Sequence, residues 1–239
     1  MSHYEKYKRN VVYFCLAGSR AYQLNRPDSD WDLRGVYIAP TEELFGLRPP
    51  PDELEEKRPP RETKIFELGK FCHLAAKANP NILELLWAPQ SETMGIFEPF
   101  IKNRKVFLSK KIAVTYRGYA ESQFQKMKQD INQKGEIRWK HAAHLLRLMS
   151  SGAVALEFGT TIPVKVGAAT QPFLRDVLAG KISFDEVMGR YERSCIAFDE
   201  ALRRSKLPEE PNWDSINKMM VAARCKALDA APVNQWNYL

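Results

Sequence analysis

Apolar positions follow two different rules along this chain, with the change near residue 105. Before it they come in short runs or in alternation, and after it they recur every three or four positions. The run VVYFCLA, Val11 to Ala17, is continuous, β-branched and aromatic, and it stops at Gly18; this predicts a strand covered on both faces. DWDLRGVYIA, Asp30 to Ala39, alternates instead, with Asp30, Asp32 and Arg34 on one face and Trp31, Leu33 and Tyr37 on the other. ETKIFELGKF reads as a third strand that runs into a helix, GKFCHLAAKA, whose Phe71, Leu74, Ala75 and Ala78 form an apolar face. Asn79-Pro80 closes that helix and starts a shorter one, NILELLW, with Asn79 as its cap and Glu84 favoured by the helix N-terminus. Between the second and third strands, PPPDELEEKRPPR, Pro49 to Arg61, carries five prolines and many charges, and predicts an exposed loop.

In the second half, Trp139, Ala142, Leu146, Met149, Ala153 and Leu156 recur as the buried stripe of a helix. Lys140, His144 and Arg147 lie opposite, with His141 beside them; that face reads either as solvated or as a basic wall for phosphates. Ser183 and Glu186 form a capping box ahead of a stripe of Phe184, Val187, Tyr191, Cys195, Phe198 and Leu202. WDSINKMMVAARCKAL supplies one more helix, and Trp87, Trp139, Trp213 and Trp236 read as packing residues. The predicted fold class is α+β (mixed α/β), a small mixed sheet followed by a helical C-terminal half. The expected division is 1–105 and 106–239, the second unit packing on the first and forming the acceptor side.

Composition narrows the function classes. At 239 residues, 44% hydrophobic and 27% charged, the chain is ordinary globular material. It holds no run of about 20 apolar residues, and its start, MSHYEKYKRN, lacks an apolar signal core. The expectation is a cytoplasmic protein with no membrane partner. Cys15, Cys72, Cys195 and Cys225 are scattered without a C-x-x-C pair, which excludes a zinc ribbon or a thioredoxin-like motif and predicts reduced, buried residues. A net charge of +7, with a pI near 9.2, favours anionic partners such as nucleotides or nucleic acid.

The stretch GSRAYQLNRPDSDWDLRG, residues 18 to 35, turns that preference into chemistry. Residues i and i+2 of a strand point the same way, so Asp30 and Asp32 present two carboxylates to one volume, a donor pair suited to hard cations. Two magnesium ions roughly 3.5 to 4 Å apart stabilise the attacking and the leaving oxygen of a phosphoryl displacement. Gly18-Ser19, directly after a buried strand, offers backbone N–H groups and a hydroxyl at close range to phosphate oxygens. Asp28 and Ser29 serve as turn residues on the way into the second strand.

Gly-Ser, ten residues and Asp-x-Asp on neighbouring strands resembles the signature of the DNA polymerase beta nucleotidyltransferase superfamily. GSRAYQLNRPDSDWDLRGVYIAP resembles its YcgL-like and RlaP-like branch, and the likeness continues through FGLRPP, FELGKF, NPNILELLW and HLLRLMSSG. The resemblance implies a polymerase-beta-like minimal nucleotidyltransferase core, two Mg2+ ions (or Mn2+), and an NTP such as ATP as substrate. It implies that Gly18 and Ser19 hold the triphosphate and that Asp30 and Asp32 hold the metals. A third carboxylate would activate the attacking hydroxyl. Glu62 and Glu67 are the candidates, and because they face opposite sides of a regular strand only one of them can join; Glu62, farther inside the strand, is preferred. Arg20 and Arg34 would bind phosphate or neutralise the acids, and Lys140 and His144 would meet the nucleotide. Where the family reads G-S-R-A-x-G, this chain has Gln23. The expected reaction transfers NMP to a hydroxyl acceptor, foremost an RNA or tRNA 3′ end, as in RNA repair. The alternatives are transfer to a protein or small molecule, and a non-catalytic nucleotide- or RNA-binding protein.

Overall fold

The computed structural model describes residues 2–135 and 137–228. Trp236 and the end of the 106–239 stretch lie outside them. Five strands form one mixed sheet in the order β3-β4-β2-β1-β5. Helix α1 (His3–Tyr7) leads into β1 (Val11–Leu16), which is buried on both faces up to Cys15, as its unbroken apolar run requires. The chain turns through a short helix, α2 (Gly18–Tyr22), and returns antiparallel to β1 as β2 (Trp31–Tyr37). Leu33 and Tyr37 are buried, whereas Trp31, at the start of the strand, is 44% exposed. Helix α3 (Thr41–Leu44) follows.

The proline-rich stretch is not a loop. Glu53–Arg58 forms β3, which pairs antiparallel with β4 (Arg61–Glu67) through a turn at Pro59-Pro60. Its prolines flank the strand rather than interrupt it, and β3 lies at the sheet edge, where charged residues on an open flank are tolerated. β4 runs parallel to β2.

Glu67 caps α4 (Leu68–Ala76), and Asn79 caps α5 (Pro80–Leu83) through the amide of Asn81. A 3-10 turn (Glu84–Trp87), the edge strand β5 (Ser91–Thr93) and α6 (Glu98–Lys102) complete the first part. The rest is helical: α7 (Lys111–Lys134), α8 (Trp139–Phe158), α9 (Gln171–Leu178), α10 (Phe184–Arg204), which Ser183 caps, and α11 (Trp213–Leu228). Helix α8 packs between α7 and α10, and at Gly152 the side chains of Tyr116 and Phe198 lie against it. Its burial exceeds the predicted stripe, taking in Ala143, Leu145, Leu148 and Ala155 as well.

A continuous hydrophobic core runs from Val12 in the sheet to Ala223 in α11, so residues on both sides of position 105 share it. A smaller cluster of Tyr4, Tyr7, Val11, Tyr37, Leu54 and Ile65 also packs on the sheet. Cys15 and Cys72 are buried as expected, but Cys195 is partly exposed and Cys225 is exposed, both lying on helices with one solvent-facing side. Among the described residues no helix is long and apolar enough to cross a membrane.

Candidate active site

The site begins where β1 ends. The Ala17 amide donates to the Asp32 carbonyl at 2.8 Å, which ties the turn to β2. Gly18 then takes φ +62°, and a Cβ there would collide with the Asp32 carboxylate. Glycine is demanded twice, by the left-handed backbone and by the acid pressed against it. No side chain caps α2 at its first turn. The helix closes at Gln23, with φ 61° and ψ 32°, the left-handed conformation that a glycine would adopt freely. Two donors from α9 hold the Gln23 carbonyl in place, Gln171 Nε2 at 2.8 Å and Arg175 Nη2 at 3.0 Å.

Asp32 and Glu62 are partners in the parallel register of β2 and β4, so their side chains emerge side by side. The Arg34 guanidinium reaches both, with Nη2 at 3.5 Å from Asp32 Oδ1 and 3.4 Å from Glu62 Oε1. Of the two roles expected for Arg34, neutralising the acids is the one this geometry displays. Burial pushes the Asp32 carboxyl above its usual range, and the charges of Glu62 and Asp30 push it the same way, while Arg34 and Lys140 oppose. Asp30 sits one residue before β2 and is exposed.

Two predicted site residues stand elsewhere. Glu67 is buried on the opposite side of β4, where it accepts the Gly69 amide at 2.5 Å and pairs with Arg224 at 3.0 Å; it caps a helix and lines neither cleft described below. Its odd separation from Glu62 along the strand turns it away. Arg20 lies over the Trp31 ring at 4.0 Å and donates to the Ser29 carbonyl at 2.6 Å. These contacts brace the turn before β2.

Two clefts meet at Asp32. The first, about 480 Å³, is lined by Gly18, Ser19, Asp30 and Asp32 from the sheet side and by Lys140, His144 and Arg147 from α8. The second, about 450 Å³, is lined by Asp32, Arg34, Glu53, Glu55, Glu62 and Lys64, among others. Lys64 is taken up by its neighbours, at 2.5 Å from Glu53 and 3.0 Å from Glu55, so the wall is acidic on balance. Gly18, Tyr22 and Asp32 belong to both clefts.

A wider groove of about 910 Å³ continues from the first cleft, with which it shares Arg26, Lys140 and His141. Arg138, Arg175 and Trp139 also line it, and no carboxylate does among the described residues. The polar face of α8 is thus not uniform. His144 is held neutral, its pKa pushed down to about 3 by burial first and then by the charges of Arg147 and His141. Arg147 is buried, paired with Glu84 at 2.8 Å and only 3% exposed, so it belongs to no solvated face. Sequence reasoning missed this pair, although Glu84 and Arg147 both lie in segments that carry the family resemblance, NPNILELLW and HLLRLMSSG.

No three Asp, Glu, His or Cys side chains close on a common point among the described residues. The donor chemistry nevertheless fits a hard divalent cation. Asp30, Asp32 and Glu62 offer only carboxylate oxygens, and the partly desolvated Asp32 carries a charge that Arg34 compensates at long range.

Three comparisons with known proteins show what this chain is similar to. The family model of RlaP, described as "RNA repair pathway DNA polymerase beta family", matches residues 2–182. The uncharacterized protein YcgL of Bacillus subtilis (strain 168) is 34% identical over 83 residues, a stretch spanning 34% of this chain and 32% of that protein. A crystal structure of a nucleotidyltransferase-like protein from Exiguobacterium sibiricum 255-15 aligns over 84% of this chain and 72% of its own at 10% identity, with a TM-score of 0.29.

Proposed function

This chain belongs to RlaP, the RNA repair pathway DNA polymerase beta family, and from that premise we propose that it is a metal-dependent nucleotidyltransferase that moves NMP from an NTP to a hydroxyl acceptor, foremost an RNA 3′ end. The observation that carries the reading is the pairing of Glu62 with Asp32 in the β2–β4 register, beside a Gly18 turn that admits nothing larger than hydrogen.

Gly18 and Ser19 receive the triphosphate in the first cleft, with Lys140 supplying charge from α8. Asp30 and Asp32 would hold the divalent cations, which neutralise the charge that develops on the phosphoryl oxygens and on the departing pyrophosphate. Glu62 takes the proton from the acceptor hydroxyl. The new bond joins that oxygen to the α-phosphorus, and the bond from the α-phosphorus to the bridging oxygen breaks to release pyrophosphate. Positioning and charge neutralisation account for the rate, as in phosphoryl transfer generally. The carboxylate-free groove next to the first cleft supports a polyanionic acceptor, because Arg26, Arg138, Lys140 and Arg175 gather there.

A second reading, transfer to a cationic small molecule or to a protein, is favoured by one feature: the second cleft, where Glu62 stands, is walled by Glu53 and Glu55. One experiment separates the two. Wild type and Asp30→Ala/Asp32→Ala are incubated with magnesium, each of four α-labelled NTPs, and RNA or protein fractions. A nuclease-sensitive label that needs both aspartates supports the RNA acceptor, and a nuclease-resistant label on protein or small molecule moves the reading to the second. NTP binding with no label in any fraction sinks transfer altogether and leaves a binding protein.

A further inference from the structure

The Arg147 guanidinium is buried without being satisfied. Its Nη1 donates to Glu84 Oε1 at 2.8 Å, and the two side chains are 3% and 4% exposed. The guanidinium carbon lies 3.8 Å from the centre of the Tyr22 ring, which covers the group. Nε and Nη2 are equally buried and have no protein partner. Buried donors without acceptors are expensive, and two on one side chain call for an acceptor such as a water, an ion or a ligand. Arg147 lines the first cleft together with Gly18 and Ser19.

We propose that Arg147 is an oxyanion receptor in the inner wall of that cleft, binding a polyphosphate chain through the buried guanidinium N–H groups that Glu84 leaves unpaired, once the Tyr22 ring that covers them moves aside. The proposal rests on the reading of the first cleft as the nucleotide's. A guanidinium offers a planar fork that matches two phosphate oxygens at once, which a point-charge ammonium does not. Glu84 and Tyr22 act as positioning residues. Glu84 anchors one nitrogen and fixes the plane, and the Tyr22 ring lies against the guanidinium. Tyr22 is also the last residue of α2, the helix that begins at Gly18, so the ring that covers the receptor and the glycine turn belong to one short helix. Glu84 itself lines the second cleft, so the ion pair spans the wall between the two.

The test measures binding, not turnover. Inorganic tripolyphosphate is titrated into the full chain by calorimetry with EDTA present, and thermal unfolding is recorded in parallel. Arg147→Lys keeps a positive charge for Glu84 and removes the fork; Arg147→Met with Glu84→Gln removes both charges and avoids leaving one buried alone. The expected result is a loss of affinity of about tenfold or more in each folded variant. Affinity unchanged within about twofold in both, or a wild type that does not bind tripolyphosphate at all, overturns the proposal. Because no acceptor or metal enters the assay, a wild type that binds through Arg147 yet transfers nothing removes the transferase reading alone. Tripolyphosphate binding and NTP KM both unchanged in Arg147→Lys, in a chain that does transfer, remove the receptor alone.

Discussion

Glu62 stands opposite Asp32 across two parallel strands, while Glu67, on the same strand as Glu62, faces away and is locked to Arg224. One strand thereby carries the acid proposed as general base and an acid that holds the architecture, and the two are separable by substitution.

Glu62→Gln is expected to lower kcat by about 10²- to 10⁴-fold, the range for losing a general base, with little change in Tm. Glu67→Ala is expected to do the reverse. It leaves Arg224 without its buried partner and α4 without a cap, at a cost of about 3 kcal/mol, while the residual folded enzyme keeps its turnover. Steady-state kinetics with parallel melting curves decide; a Glu67 variant that is stable and inactive would reverse the assignment.

Asp32→Asn tests the burial of the acid. The folded-state pKa of Asp32 is raised above its ordinary value of 3.8, so the folded chain binds its proton more tightly than the unfolded chain does. Stability therefore falls as pH rises through that window, and the loss is complete above the raised pKa. The variant should melt higher than wild type at pH 7, and the gap should close as pH drops below about 3.8. A gap independent of pH contradicts the account.

Gln23→Gly relieves a left-handed side-chain-bearing residue but adds backbone freedom to the unfolded chain. The net expectation is a gain of about 0.5–1 kcal/mol, or about 2–4 °C in Tm at the upper end. Denaturant titration measures it directly. Loss of stability would mean that the Gln23 side chain itself carries a contact.

The basic groove predicts steep salt dependence for RNA binding. Lys140→Ala and Arg138→Ala should each reduce the slope of log K against log salt by about one, with similar effect on RNAs of different sequence. A slope unchanged in both variants would take the acceptor strand off this surface.

Much of the site was legible because its geometry is local. Val11 to Ala17 ends at Gly18, ten residues separate Ser19 from Asp30, and alternation alone puts Glu62 and Glu67 on opposite faces. What escaped depended on partners far apart in sequence. Pro49 to Arg61 argues against a strand until β4 is present to pair with Glu53–Arg58. Arg147 reads as a surface cation because nothing within its own helix announces Glu84, sixty-three residues earlier. For Arg20 the sequence leaves phosphate binding and neutralisation of the acids open, and its stacking on Trp31 follows only from how the turn folds back.

Arg34 has a consequence for how the protein is made. Since its guanidinium already lies between Asp32 and Glu62, the nascent chain can reach its final shape with those acids compensated from within and no ion from outside. On the metal-dependent reading proposed above, a divalent cation would arrive as a competitor that must displace a tethered one. Loading would then be an exchange governed by the concentration of free ion, and a chain starved of it would be intact but idle, ready to be switched on without refolding.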